Sequence, residues 1–211
     1  MELHTWLAYA AACVLIAVSP GSGAVLCMSH GLSYGFRASR ATIAGLEIGL
    51  VLILLIAGAG VGSLLIASET AFWLVKLVGA GYLIYLGFSQ WRSRQGLAGL
   101  EQADRSALRP SLRKRVATGF LTNATNPKGI LFMVAVLPQF ISPSQPLAAQ
   151  LLILAATMVA IDSIVMAGYV YGASAFSRFM TGARAIRVQN RVFGGLLMGV
   201  GAGLLFVKKA P

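Results

Sequence analysis

Charge is scarce in this chain: of 211 residues, 17 are Lys or Arg, 6 are Asp or Glu, and charged residues make up 11%. A soluble domain carries about 25% to cover its water-facing surface, so an ordinary soluble enzyme is excluded. Disorder is excluded as well, because 57% of the residues are hydrophobic and the mean hydropathy is +0.79. Cysteine and histidine are nearly absent, with two of each. Cys13 and Cys27 share one apolar segment; on a helix they would stand roughly 21 Å apart, too far for a disulfide. There is no His-Glu-x-x-His run, no Cys-x-x-Cys pair and no Walker-type loop, and Gly21-Ser22-Gly23 is not a Gly-x-Ser-x-Gly elbow. No enzyme, no metal site and no cofactor are expected.

What the chain has instead is long apolar runs. Six stretches read as transmembrane helices, at about 5–29, 41–67, 71–91, 116–140, 147–172 and 191–207. The first is not a signal peptide, since it starts with Glu2 and carries no Lys or Arg ahead of its apolar run. The chain is expected to be one transmembrane domain. The net charge of +11 points to topology rather than nucleic acid, because the basic residues lie between the apolar blocks. Alternate loops hold thirteen of them, Arg37 and Arg40, then Arg92 to Arg115, then Arg178 to Arg191, whereas the other side has Lys208 and Lys209. By the positive-inside rule both termini face outward.

Two prolines interrupt apolar spans, at Ser19-Pro20-Gly21 in the first and Asn126-Pro127-Lys128 in the fourth. Proline lacks an N–H and clashes with the preceding turn, so the carbonyls of Ile16 and Asn123 lose their helical partners. In a bilayer such groups must be met by protein or by a water-filled cavity. Both breaks fall in the first helix of a three-helix half. The third helices also correspond, Lys76-Leu77-Val78-Gly79-Ala80 matching Arg191-Val192-Phe193-Gly194-Gly195. An odd number of spans per half makes the halves inverted. The expected architecture is an all-α membrane protein of two inverted three-helix repeats, about 1–91 and 116–211, joined by a basic cytoplasmic linker at about 92–115. Secondary transporters of this layout place their site at the midplane, where broken helices meet.

Lys128 and Asp162 sit near the middle of their spans, where a charge is expensive unless paired or hydrated. They are either part of a functional site or a buried structural ion pair. Asp162 is the candidate for proton coupling. Glu47 lies nearer the cytoplasmic end of its span, where it could line a vestibule or meet a loop arginine, and it is a second coupling candidate; Lys76 is expected to snorkel to an interface. The run Gly21-Ser22-Gly23 opens a half-helix whose backbone N–H groups suit a substrate carboxylate. Gly45 and Gly49, and Gly195, Gly199 and Gly203, recur every four residues and suit close helix packing within the chain or in a homodimer. Trp6, Trp73 and Trp91 fall where interfacial anchors do.

Together, Ser19-Pro20-Gly21, the segments Ala71–Lys76 and Gly79–Gly87, Gly119–Asn123 with Asn126-Pro127-Lys128, Pro138-Gln139-Phe140, Asp162 and Arg191–Gly194 resemble the lysine-exporter/threonine-efflux (LysE/RhtB) family over nearly the whole chain. Membership implies proton-driven efflux of amino acids or close derivatives, homoserine-, threonine-, lysine- or leucine-like, across the inner membrane of a bacterium. It places functional weight on Ser19, Pro20, Gly21, Asn126, Pro127, Lys128 and Asp162, with Asn123 beside them. The sequence departs from the family at the first break, which usually continues Pro-Gly-Pro-Asn and here is Pro20-Gly21-Ser22-Gly23. Substrate identity stays open, and the alternatives are another small solute, a metal cation, or a scaffold subunit that transports nothing.

Overall fold

The computed structural model describes residues 1–61, 69–92, 110–142, 144–173 and 183–206, and no strand occurs among them. The helices are α1 (Leu3–Val18), α2 (Ser22–Ile56), α3 (Glu69–Arg92), α4 (Leu112–Ala124), α5 (Pro127–Val136), α6 (Leu147–Tyr171) and α7 (Ala183–Phe206). A π-helical turn, Ala57–Val61, follows α2 and a 3-10 turn, Leu137–Phe140, follows α5. The segments 93–109 and 174–182 with their arginines, Lys208 and Lys209, and the side chain of Lys76 lie outside the described residues.

Proline ends α1 as expected. Ser19 takes extended backbone, φ −69° and ψ 115°, the conformation a following proline imposes. Gly21 is extended too, and α2 begins directly after it. The second break falls at Thr125-Asn126. There Pro127 opens α5 at a position where its missing N–H is no loss, and Asn126 caps the helix by accepting from the Lys128 backbone N–H at 3.1 Å.

The 35 residues of α2 are two limbs, 22–34 and 36–56, folded back at Gly35, whose φ of 74° and ψ of 171° suit glycine alone. Straight helix would hold His30 and Thr42 about 18 Å apart. Their Nδ1 and Oγ1 atoms are instead 2.7 Å apart. The Ser39 hydroxyl closes the reversal by donating to the Gly35 carbonyl at 3.0 Å. Where the sequence suggests a loop over 30–40, the chain stays helical up to a single reversing glycine.

Glycine lets the helices approach backbone to backbone. A Cβ on Gly45 would lie 2.1 Å from the Val116 carbonyl oxygen, and one on Gly119 would lie 2.2 Å from that of Thr42. Along this contact Gly45 meets Val116, Gly49 meets Phe120, and Ile53 approaches Gly129, so the second limb of α2 and the α4–α5 rod run parallel. Trp6 donates to Thr157 at 2.9 Å and Tyr169 to Val18 at 2.7 Å, so α1 and α6 are parallel as well. By contrast α3 and α7 are antiparallel, with Gly87 against Gly194 and Ala80 against Gly201. The expected glycine face of α7 is used in part, since a Cβ on Gly195 would lie 3.1 Å from the Trp91 ring. Gly199 and Gly203 would meet nothing within 4 Å if given a Cβ, and the close approach is made by Gly194 and Gly201, two turns apart.

Polarity is inverted relative to a water-soluble fold. Glu47, Arg115, Asn123, Gln150 and Asp162 are buried, while Leu152 is 71% exposed, Ile164 72% and Tyr171 84%. An outward apolar surface with polar groups held inside is what a lipid solvent selects. Two apolar clusters fill the interior. One centres on Tyr9, Cys13, Ile16, Leu50, Phe132 and Met158, the other on Ala24, Met28, Leu46, Met166 and Tyr169. Ile16, Leu50 and Met158 of the first cluster and Ala24, Leu46 and Met166 of the second share one cavity between them.

Candidate functional site

The cavity lies where the two breaks meet. Its volume is about 50 Å³, and Ser19, Gly21, Gly23, Asn123, Asn126, Lys128, Gly129 and Asp162 give it a polar wall. Seven residues singled out from the sequence are therefore brought together: Ser19, Gly21, Gly23, Asn123, Asn126, Lys128 and Asp162. Pro20, Ser22 and Pro127 shape the adjoining backbone without lining it. Glu47 does not line it either.

The carbonyls orphaned by the first proline have side-chain partners. Lys128 Nζ donates to the Ile16 carbonyl at 3.1 Å and, in a shorter bond, to that of Ser19. The Tyr169 hydroxyl donates to the carbonyl of Val18. An ammonium at the carbonyl end of a helix complements both the unmatched acceptors and the negative pole of the dipole. The residue after the second break thus caps the helix that ends at the first. At the second break the Asn123 carbonyl needs no outside help, because the Asn126 backbone N–H donates to it at 3.0 Å.

The opposite pole is close by. Gly21, the N-cap of α2, has no side chain to cap the first turn, and Gly21, Gly23 and Ala24 face the cavity. A Cβ placed on Gly21 would sit 3.7 Å from Lys128 Nζ. The negative end of α1 and the positive end of α2 are therefore presented side by side, with one ammonium between them.

Asp162 enters from α6, flanked one turn away on each side by Met158 and Met166, and is 7% exposed. Its charge reaches Lys128 without a direct salt-bridge contact, and the lysine hydrogen-bonds the carbonyls of Ile16 and Ser19 instead. Behind Asp162 the Glu47 carboxyl lies close enough to feel its charge, with Ser163 adjacent. Both Glu47 oxygens are buried, with Ser163 and Asp162 the polar groups beside them. No arginine meets Glu47 among the described residues, and Arg94, Arg105, Arg109 and Arg178 of the loops lie outside them.

Asn123 has a bond of its own, donating from Nδ2 to the Leu46 carbonyl at 2.8 Å, so its amide nitrogen ties α4 to α2 rather than waiting for a ligand. Two further residues matter that the sequence did not single out for the site. Tyr169 lies two turns after Asp162 on α6, and that spacing puts both on one face. Arg115, counted from sequence as a loop charge, is buried and donates to the carbonyls of Ala38 and Pro110, holding the Gly35 reversal against the start of α4. Cys13 and Cys27 are both buried and unpaired in a disulfide.

The model for the LysE type translocator family matches residues 14–208. An uncharacterized membrane protein of Vibrio cholerae is 41% identical over 208 residues, 99% of this chain and 100% of its own length. A homoserine/homoserine lactone efflux protein of Salmonella typhi is 40% identical over 210 residues, the full length of both chains. A leucine efflux protein of Enterobacter sp. is 28% identical over 209 residues, 96% of this chain and 95% of its own. No solved structure matches. With the broken helices, the membrane-type polarity and a family match over nearly its full length, this chain belongs to the LysE type translocator family.

Proposed function

We propose that this protein is a secondary exporter of an amino acid or close derivative, driven by exchange with protons across the bacterial inner membrane. The observation that carries the proposal is the meeting of the two helix breaks. A zwitterion has an anionic and a cationic end, and the cavity offers the N–H end of α2 beside the carbonyl end of α1. The substrate carboxylate is placed at Gly21 to Gly23. Its ammonium falls between the α1 carbonyls and Asp162. The efflux of homoserine, homoserine lactone and leucine named for the relatives supports this substrate class.

The helix directions support six spans in two inverted halves. Taking α1 with the first limb of α2 as one span, and α4 with α5 as another, strict alternation makes spans two and four parallel, one and five parallel, and three and six antiparallel. These are the directions of the three packed pairs. The excess of basic residues in alternate loops then orients both termini outward.

At about 50 Å³ the cavity has room for a few waters and is smaller than an amino acid. Transport therefore requires the halves to move apart on one side, which the paired hinges at the breaks allow. Asp162, on the cavity wall, carries the exchanged proton, and Glu47 behind it adjusts the local charge.

Proteoliposomes loaded in turn with radiolabelled homoserine, threonine, leucine and lysine test this. Release of one or a few of them, accelerated by an imposed pH gradient, is the expected result. Release that ignores the gradient would remove the proton from the scheme. No release of any of them, from vesicles holding folded protein, would remove amino acids from it.

A further inference from the structure

We infer that Lys128 is a tethered stand-in for the substrate's ammonium group, holding the carbonyl end of α1 while the cavity is empty and yielding it when substrate binds. This inference rests on the exporter assignment above and adds how the empty carrier closes.

Lys128 Nζ spans two acceptors, the carbonyl of Ile16, whose helical donor would be the N–H that Pro20 lacks, and the carbonyl of Ser19 at the end of the helix. These acceptors end a helix at the wall of a small cavity, and closing the carrier upon them requires a donor, a role in which a cation serves both at once. A substrate ammonium meets that need when substrate is present. Lys128 meets it from within the chain when substrate is absent. Tyr169 already holds the Val18 carbonyl, so Lys128 is not required there.

The lysine also has somewhere to go. The position of a Cβ on Gly21 lies 3.7 Å from Nζ, which puts the ammonium beside the start of α2, where the substrate carboxylate is placed. Asp162 does not hold it. On substrate entry the ammonium of the substrate takes the Ile16 and Ser19 carbonyls, and Lys128 turns by a side-chain rotation to the carboxylate. A zwitterion adds no net charge, so loading leaves the charge of the cavity to the proton on Asp162, which is aboard when the carrier returns without substrate. Both forms can close, and the carrier can return empty after release.

The two transport modes separate this role from that of a plain structural cap. Exchange of labelled for unlabelled substrate uses only loaded carriers, whereas net efflux requires the empty return. In Lys128→Gln both modes slow, because the carboxylate loses a partner. Net efflux should fall at least about tenfold further than exchange, since an orphaned buried acceptor impedes only the empty closure. In Lys128→Ala, added ethylammonium should restore net efflux in proportion to its concentration and by a larger factor than it raises exchange.

Equal loss of both modes in either variant, with ethylammonium giving no rescue, would overturn the inference. So would failure of both variants to fold, judged by size-exclusion profile and melting temperature, since that makes the lysine structural. Wild-type vesicles distinguish the levels: no exchange of any amino acid would overturn the exporter assignment and this inference with it. Exchange by wild type with an unsplit Lys128→Gln variant would overturn the inference alone.

Discussion

Tyr169 and Val18 stand 151 residues apart in sequence and are joined by a 2.7 Å hydrogen bond from the tyrosine hydroxyl to the valine carbonyl. The bond fastens α6, the helix of Asp162, to the broken end of α1. Tyr169→Phe keeps the ring and orphans one buried carbonyl, which costs about 1–3 kcal/mol. The expected result is a lower melting temperature of the detergent-purified protein with an unchanged elution profile. An undiminished melting temperature would mean that water replaces the hydroxyl.

Glycine contacts give a sharper contrast. A Cβ on Gly119 would enter the Thr42 carbonyl at 2.2 Å and one on Gly45 the Val116 carbonyl at 2.1 Å. Gly119→Ala or Gly45→Ala must push α2 and α4 apart, and overpacking of this kind costs about 1–3 kcal/mol or more. Gly199→Ala meets nothing within 4 Å and removes helix-interior glycine, so it should be neutral or raise stability by about 0.5–1 kcal/mol. Thermal unfolding of the three variants side by side checks the ranking. A Gly199 variant as damaged as the Gly119 variant would show that another surface, such as a second copy, covers this face.

What was legible in the sequence follows from which groups announce themselves locally. A proline in an apolar span states which N–H is missing, so the breaks and the orphaned Ile16 carbonyl were open to inference. It does not state which side chain will answer. Lys128 and Tyr169 reach α1 from far along the chain, and only packing brings them there. The same limit applies to α7, where a run of glycines every four residues drew notice while the approach used Gly194 and Gly201. The turn between the first two spans was legible as a loop over 30–40. Its narrowing to a single glycine with helix on both sides was not, because Ser, His, Tyr and Gly there are not strong helix formers. Glu47 was recognisable as a buried acid, but its neighbour across the α2–α6 contact was not.

Gly35 supplies a test of that reversal. Its φ of 74° with ψ of 171° lies where a side chain is strained by about 1–3 kcal/mol, although nothing stands within 4 Å of a Cβ there. Gly35→Ala should therefore lose stability through backbone strain alone. His30→Ala, which removes the 2.7 Å contact to Thr42, should weaken the same turn by about 1 kcal/mol. Melting temperatures of the single and double variants check this. Losses larger than additive in the double variant would show that the two devices back each other up; a harmless Gly35→Ala would mean the limbs are held by their packing and not by the turn.

Asp162 and Glu47 divide the proton question between them. Asp162 is on the cavity wall, while Glu47 is buried behind it. A proton carried to and from the cavity must pass through the group that faces it. A pH gradient of one unit is worth about 1.4 kcal/mol per proton, a tenfold change in the accumulation ratio. Asp162→Asn should abolish that tenfold response, leaving downhill exchange measurable, whereas Glu47→Gln should weaken it and retain a gradient-dependent component. Efflux from proteoliposomes at matched and mismatched pH separates the cases. Loss of the response in both variants would make the two carboxyls a single proton-sharing unit, and a full response in Asp162→Asn would move the coupling site off α6.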